Sequence, residues 1–304
     1  MTSHLPPTSQ QWSHSAITID KVREALDATE ITAIEADILL GKTSDCKDQE
    51  GVEKTQGRLV PIMSHPPEYT SELCTQKFLE MTTFDPASPN RRRLRKHLKL
   101  DFKDLESVMP TLKMLQDLNA ESNGKVIFLN ADIIAGPGRN SDDVVVSASA
   151  FLETCLGFVV SQKEANFAFS LGFKVDVVSI FGHSHEELEA MSALVDKYNL
   201  LQKSAGIVLA INARLLSKHF LPFDNFLNRY PTAQLLVWTG SGEPPISNRK
   251  AAKIRSHFEQ QGTLKRVGFD CQVSVFIDVT SYSYQAICLT PVTSVLQSIY
   301  GLNL

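Results

Sequence analysis

Ala33-Ile34-Glu35-Ala36-Asp37-Ile38-Leu39-Leu40 is an apolar run broken only by two carboxylates spaced two residues apart. With Thr32 in front, it reads as a buried parallel strand. Such strands are apolar on both faces, because helices cover one side and barrel packing fills the other. Charged side chains are rarely buried without a partner or a metal. The side-chain period of two sends Glu35 and Asp37 to the same side. The stretch therefore predicts a core strand that delivers two acids into a polar pocket.

Outward from it, the same interruption recurs near the ends of other apolar runs. Leu98-Lys99-Leu100-Asp101-Phe102-Lys103, Phe128-Leu129-Asn130-Ala131-Asp132-Ile133 and Asn212 with Arg214 all place polar groups at a spacing of two. The runs alternate with helical patterns. Strands are expected at Trp12–Ile17, Thr32–Leu40, His97–Lys103, Lys125–Ile133, Asn166–Phe173, Gly206–Arg214 and Gln234–Thr239, and an eighth lies within Arg266–Val279, where two segments compete. Helices are expected over Thr18–Thr29, with Val22, Ala25 and Leu26 on one face, and over Ser71–Met81. Leu105, Val108, Leu112, Leu115 and Leu118 form a third stripe at helical spacing. Ser141 opens another, with Asp142 and Asp143 in its first turn, and Ser184 with Glu187 caps one that runs to about Lys203. Leu59–His65 adds a short extended segment closed by Pro66-Pro67. Eight strand–helix alternations without a linker predict a single α/β (β/α)8 TIM barrel over residues 12–304, behind a disordered tail at residues 1–11. Neither G-x-G-x-x-G nor G-x-x-x-x-G-K-[ST] occurs, so a nucleotide-binding sheet is disfavoured.

Composition narrows the function classes. The chain is 43% hydrophobic and 21% charged with a net charge of −4, ordinary for a soluble globular protein. Arg91-Arg92-Arg93 with Arg95 and Lys96 is the densest basic run, but it lacks interleaved aromatics and reads as a solvated loop, so no nucleic-acid partner is expected. Cys46, Cys74, Cys155, Cys271 and Cys288 are odd in number and contain no C-x-x-C pair, which suggests neither a disulfide framework nor a zinc site. No apolar stretch reaches transmembrane length and no signal peptide is evident at the N-terminus, so cytoplasmic residence is expected.

In a barrel, functional side chains gather at the C-terminal rim of the strands. Acids there are often neutralised by a nearby cation, and Lys99, Lys103 or Arg214 could serve. His14 and His65 gain interest because both fall at strand ends beside the acids; His97, His183, His185, His219 and His257 read as ordinary loop or helix residues.

Five segments together resemble the menorin family. They are Ile34-Glu35-Ala36-Asp37, Pro61-Ile62-Met63-Ser64-His65-Pro66-Pro67, Leu98 to Lys103, Phe128 to Ile133 with Gly136-Pro137-Gly138, and Val237-Trp238-Thr239-Gly240 followed by Glu243-Pro244. The menorin domain in turn is similar to the phospholipase-C-like phosphodiesterase barrels that include glycerophosphodiester phosphodiesterases and spider-venom phospholipases D. That resemblance implies Glu35, Asp37 and Asp101 as ligands of one Mg2+ or Ca2+, His14 and His65 as acid and base, Lys103 facing the phosphate, and Trp238 lining the pocket. Lys99, Asn130, Asp132, Asn212 and Arg214 would complete the substrate-binding wall. Glycerophosphodiesterases usually carry arginine after the first histidine, where this chain has Ser15.

Three readings follow. The first is a metal-dependent phosphodiesterase acting on a small or lysophospholipid-like phosphodiester. The second is a non-catalytic barrel that binds a protein partner, as the resemblance to neuronal, dendrite-patterning relatives implies, with secretion as the alternative localisation by the same analogy. The third is an aldolase-like barrel with Lys99 or Lys103 as Schiff-base amine, which neighbouring carboxylates oppose by keeping the lysine protonated.

Overall fold

The computed structural model of the protein describes residues 10–43, 59–86, 90–162, 166–240 and 242–274. Eight parallel strands form the expected barrel: β1 (Trp12–Ser13), β2 (Ala33–Thr43), β3 (His97–Phe102), β4 (Val126–Ala135), β5 (Asn166–Lys174), β6 (Ile207–Asn212), β7 (Gln234–Trp238) and β8 (Val267–Asp270), each hydrogen-bonded to the next in sequence. Val267–Asp270 is thus the eighth strand. The competing segment contributes Val273–Ser274, which pairs instead with Ile246–Ser247, and its remainder lies outside the described residues. Between β8 and β1 no ladder forms among the described residues. The seam is crossed by a side-chain bond, His14 Nδ1 to Asp270 Oδ2 at 2.9 Å.

The period-two reading accounts for two separate apolar cores. Ile34, Ala36, Ile38, Leu98, Leu100, Ile127, Leu129, Phe169, Leu171, Leu209 and Val237 face outward and pack with the helices in one large cluster. Val126, Phe128, Ala168, Val208 and Leu236 form a smaller cluster with Trp12, which plugs the floor of the barrel. Above that plug the inward positions turn polar, so the cavity opens only at the strands' C-terminal ends.

The surrounding helices are α1 (Ile19–Asp27), α2 (Thr75–Thr83), α3 (Val108–Leu118), α4 (Ala148–Val159), α5 (His185–Tyr198), α6 (Leu200–Lys203), α7 (Ala213–Leu216), α8 (Leu221–Arg229) and α9 (Asn248–Gln260). Three expectations are corrected here. The helix expected from Ser141 is only a 3-10 turn, Ser141–Asp143, and the α-helix starts at Ala148. Ser184 does cap α5 through Glu187 N, but the Glu187 carboxylate turns to His183 Nδ1 at 2.7 Å, and Asn199 in the left-handed region breaks the helix before Lys203. The basic run is not a solvated loop. Lys96 donates to the carbonyls of Ala28 and Ile31, Arg95 to Leu26 O, and Arg92 to Glu80 O, so these cations satisfy backbone acceptors at the C-terminal ends of α1 and α2.

Cys74, the residue before α2, is disulfide-bonded, its partner lying outside the described residues, whereas Cys155 and Cys271 are free. The expectation of no disulfide is overturned, since five widely spaced cysteines carry no pairing signal.

His97 opens β3, where the expected strand His97–Lys103 also began, so it is not an ordinary loop or helix residue. Its ring is buried and its Nδ1 accepts a hydrogen bond from Val126 N at 3.0 Å. Burial, reinforced by the Lys125 charge, pushes its pKa down to about 4 from 6.5. Between those values the unfolded ring binds a proton that the folded ring refuses, so stability is intact above pH 6.5 and lost as pH falls towards 4. The expected loss is about 2 kcal/mol after allowance for partial solvation. In His97→Asn, whose amide oxygen can still accept from Val126, urea midpoints should fall less steeply across that window; parallel curves would discount His97 as the cause.

Candidate functional site

The mouth of the barrel holds a cavity of about 730 Å³. Its charged floor is built by register. Glu35 pairs with Lys99 and Asp37 with Asp101 across the β2–β3 ladder, so alternate inward positions stack acid beside lysine and acid beside acid. Glu35, Asp37 and Asp101 are only 1%, 4% and 8% exposed, and one carboxylate oxygen from each lies within 4.8 Å of the others. The acids expected to converge do so.

Each acid is held. Lys103 Nζ lies 2.8 Å from both Asp37 Oδ1 and Asp101 Oδ2. Asn130 Nδ2 donates to Asp101 Oδ1 at 2.6 Å, and Ser170 Oγ donates to Asn130 Oδ1 at 2.6 Å, so a buried relay reaches from β5 to β3. Glu35 accepts from Ser15 N at 2.5 Å and has Lys99 Nζ at 4.0 Å. Ser15 Oγ also donates to Asp37 Oδ2 at 3.3 Å. Ser15 adopts a positive φ of 52°, an uncommon conformation that aims its amide and hydroxyl at two acids at once. Ser15 thus orients both acids through two separate donors.

The electrostatics follow from these contacts. Burial works to raise the Asp101 pKa, but Lys103, Lys99 and the Asn130 bond outweigh it and hold the carboxyl down at about 2. Burial and the neighbouring Asp37 charge push Glu35 up. Asp132 is pushed to about 6 by burial and by Asp101, with Lys103 and Lys174 opposing. Its carboxylate occupies the space a Cβ would fill at Gly172, so the glycine makes room for it.

The two histidines differ. His14 lies between Asp270 Oδ2 at 2.9 Å and Glu35 Oε2 at 3.6 Å. Burial alone would lower its pKa, yet Glu35 and Asp270 together raise it to about 9. Titration near neutral pH, the ordinary expectation for a histidine, does not hold for His14. His65 is exposed on the rim, and its Nδ1 lies 2.6 Å from Pro66 O. A carbonyl only accepts, so Nδ1 carries a proton and donates it there, leaving the Nε2 edge uncommitted by this bond.

Lys99, Asn130, Asp132 and Trp238 line the same cavity as the acids and histidines. Asn212 and Arg214 do not share a strand face as the spacing suggested. Asn212 ends β6 and caps α7, where Arg214 sits, and both bind Glu243, at 2.9 Å from Asn212 Nδ2 and 3.0 Å from Arg214 Nε. Glu243 is the residue of that group that borders the cavity. Sequence reasoning missed Asp270, Ser15, Ser170 and Lys174. Asp270 had a signal: Val267-Gly268-Phe269-Asp270 ends an apolar run on an acid, as the second and third strands do. Lys174 ends β5 in the same manner. Ser15 and Ser170 had none, since a lone serine is silent until its neighbours are placed.

A family model described as the menorin N-terminal domain matches residues 8–270. Protein FAM151B of Homo sapiens is 28% identical over 253 residues, covering 82% of this chain and 79% of the human protein. No helix among the described residues is long and apolar enough to cross a membrane.

Proposed function

The chain belongs to the menorin family, and from that premise we propose that its barrel is a divalent-cation-dependent phosphodiesterase for a small or lipid-derived phosphodiester. The observation that carries this reading is the convergence of Glu35, Asp37 and Asp101 in one buried cluster. Three carboxylates form an all-oxygen donor set suited to Mg2+ or Ca2+, with water and substrate oxygens completing the shell. An ion held there would offset charge that develops on the phosphoryl oxygens.

The chain's own groups divide the remaining work. Lys103 presents its ammonium at the acids' edge, where a phosphate oxygen would find it. His14 is an imidazolium at neutral pH, with Nδ1 occupied by Asp270, so Nε2 can give its proton to the leaving oxygen. His65, whose Nδ1 is committed to Pro66 O, offers Nε2 as base or nucleophile. Trp238 and the valines Val145, Val175 and Val177 supply an apolar wall for the rest of the substrate.

One observation favours a second reading, in which the barrel is a non-catalytic protein-binding scaffold. Lys103 already bridges Asp37 and Asp101, so the acids share an internal counter-ion. The two readings separate on a single assay. Incubation with Mg2+ or Ca2+ and a panel of lysophospholipids and glycerophosphodiesters is expected to give turnover that EDTA abolishes and Asp101→Asn reduces by about 10²- to 10³-fold. Turnover absent from the whole panel, with no ion bound by native mass spectrometry, would leave the scaffold reading. The Cys74 disulfide supports residence in an oxidising compartment, as in the secreted alternative, over the cytoplasm.

A further inference from the structure

After β5 the chain climbs away from the cavity and turns over at its edge. Val175 and Val177 line the cavity wall, and the next residues, Val178, Ile180 and Phe181, are 78%, 80% and 71% exposed. Three bulky apolar side chains within four positions, all pointing at water, form the most exposed apolar cluster among the described residues.

The loop beneath them is internally bonded. Asp176 Oδ1 accepts from Val178 N at 3.1 Å, Asp176 O accepts from Ser179 N at 2.9 Å, and Ser179 Oγ accepts from Phe181 N at 3.2 Å. Asp176 N is anchored to Pro137 O at 2.9 Å, and Lys218 donates to Ser179 O. The polar atoms are thus turned inward and satisfied while the apolar side chains are held outward. A loop selected only for solubility would do the reverse.

Beside this apex lies a cluster of cations. Lys218 touches the loop itself, and Lys253 donates to Ser217 O at 2.7 Å one residue before it. Partial burial, and then the charges of Arg214, Lys218 and Lys253, push the Lys250 pKa down, which places Lys250 in electrostatic reach of the other three. Arg214 is offset by Glu243, but the three lysines form no salt bridge among the described residues. A local basic patch in a chain of net charge −4 points to an anionic partner.

We propose that the Val178–Phe181 loop, with Lys218, Lys250 and Lys253, docks the barrel mouth onto a lipid surface carrying anionic headgroups. Side chains exposed to this degree can enter a bilayer, which closes around any shape and takes apolar tips below its headgroups. The flanking ammoniums fall at headgroup level, where each adds attraction to anionic lipid that salt weakens. The apolar wall of Val175 and Val177 then runs from the docked edge into the cavity.

Co-sedimentation of the full chain with phosphatidylcholine vesicles, with and without phosphatidylserine, tests this without any turnover. It therefore stands apart from the phosphodiesterase reading. Binding is expected to the phosphatidylserine vesicles and to weaken with salt. Phe181→Asp with Ile180→Asp should reduce it by about tenfold or more, and Lys218→Glu with Lys250→Glu should erase the preference for phosphatidylserine. Ile180 and Phe181 are exposed, so an unchanged thermal midpoint is expected for the aspartate variant. Absence of wild-type binding to either vesicle, or equal binding by the aspartate variant, overturns the proposal; loss of binding accompanied by a lowered midpoint is resolved by Phe181→Ser, which should weaken binding while leaving the fold intact.

Discussion

Lys103→Met is expected to destabilise the protein by about 3 kcal/mol when divalent ions are chelated. The ammonium is 2.8 Å from Asp37 and 2.8 Å from Asp101, and both carboxylates are buried. Removing it leaves two like charges facing each other across adjacent strands, with Asn130, Ser15 and the Lys99 charge to hold them. Breaking a buried pair by deleting one partner costs more than the pair contributed, because the survivor is left unsolvated. The figure sits at the low end of such cases because the lysine reaches partly into the cavity's water. Urea denaturation in EDTA would measure it. Added Ca2+ or Mg2+ should restore most of the loss in the variant, since an ion would take over the charge that Lys103 provided. Equal stability of variant and wild type in EDTA would show that Lys103 is not the neutralising group.

The same contacts set how a cation and a phosphate can enter. Glu35, Asp37 and Asp101 carry three negative charges; Lys99, Lys103 and protonated His14 bring three positive ones. His14 is shared with Asp270, which adds a fourth negative charge. A divalent ion would compete with Lys103 for Asp37 and Asp101, and a phosphate in the cavity would stabilise Lys103 turned towards it. Ion and phosphate binding should therefore reinforce each other. This coupling connects the two readings: without an anionic substrate, Lys103 keeps the acids closed.

The architecture was legible because it is repetitive. Apolar runs and helical stripes recur eight times, and errors at single boundaries, as at Ser141, do not change the topology. The acids were legible for a related reason: Glu35, Asp37 and Asp101 violate an apolar pattern, and their parity fixes the side they face. What escaped was set by chain geometry between distant segments. The seam brings Asp270 to His14, residues 256 apart in sequence. Arg214 shared the spacing rule with Asn212, yet the chain turns into α7 after Asn212 and the rule no longer applies. The basic run misled because composition says nothing of the carbonyls at the ends of α1 and α2 that lie within its reach.

The seam contact also governs the second large effect. A leaving-group acid must be protonated, so the rate should fall as pH rises past the His14 value of about 9. Glu35 and Asp270 both hold that value up, and Asp270 does so through a direct bond to Nδ1. In Asp270→Asn the charge is gone while Glu35 remains. The imidazolium should then titrate lower by about one to two pH units. The alkaline limb of the rate profile should move down with it. His14→Asn should remove the proton donor altogether and lower turnover by about 10²- to 10⁴-fold, with the smallest loss for substrates whose leaving group needs no proton. Two-dimensional NMR of the histidine rings reports the His14 titration directly, whether or not a substrate is in hand. A wild-type His14 that titrates near 6.5, or one unmoved by Asp270→Asn, would contradict the assignment of the acid. The imidazolium depends on carboxylates from β2 and β8, so the chemistry proposed for His14 is a property of the closed barrel and not of the His14-Ser15 motif alone.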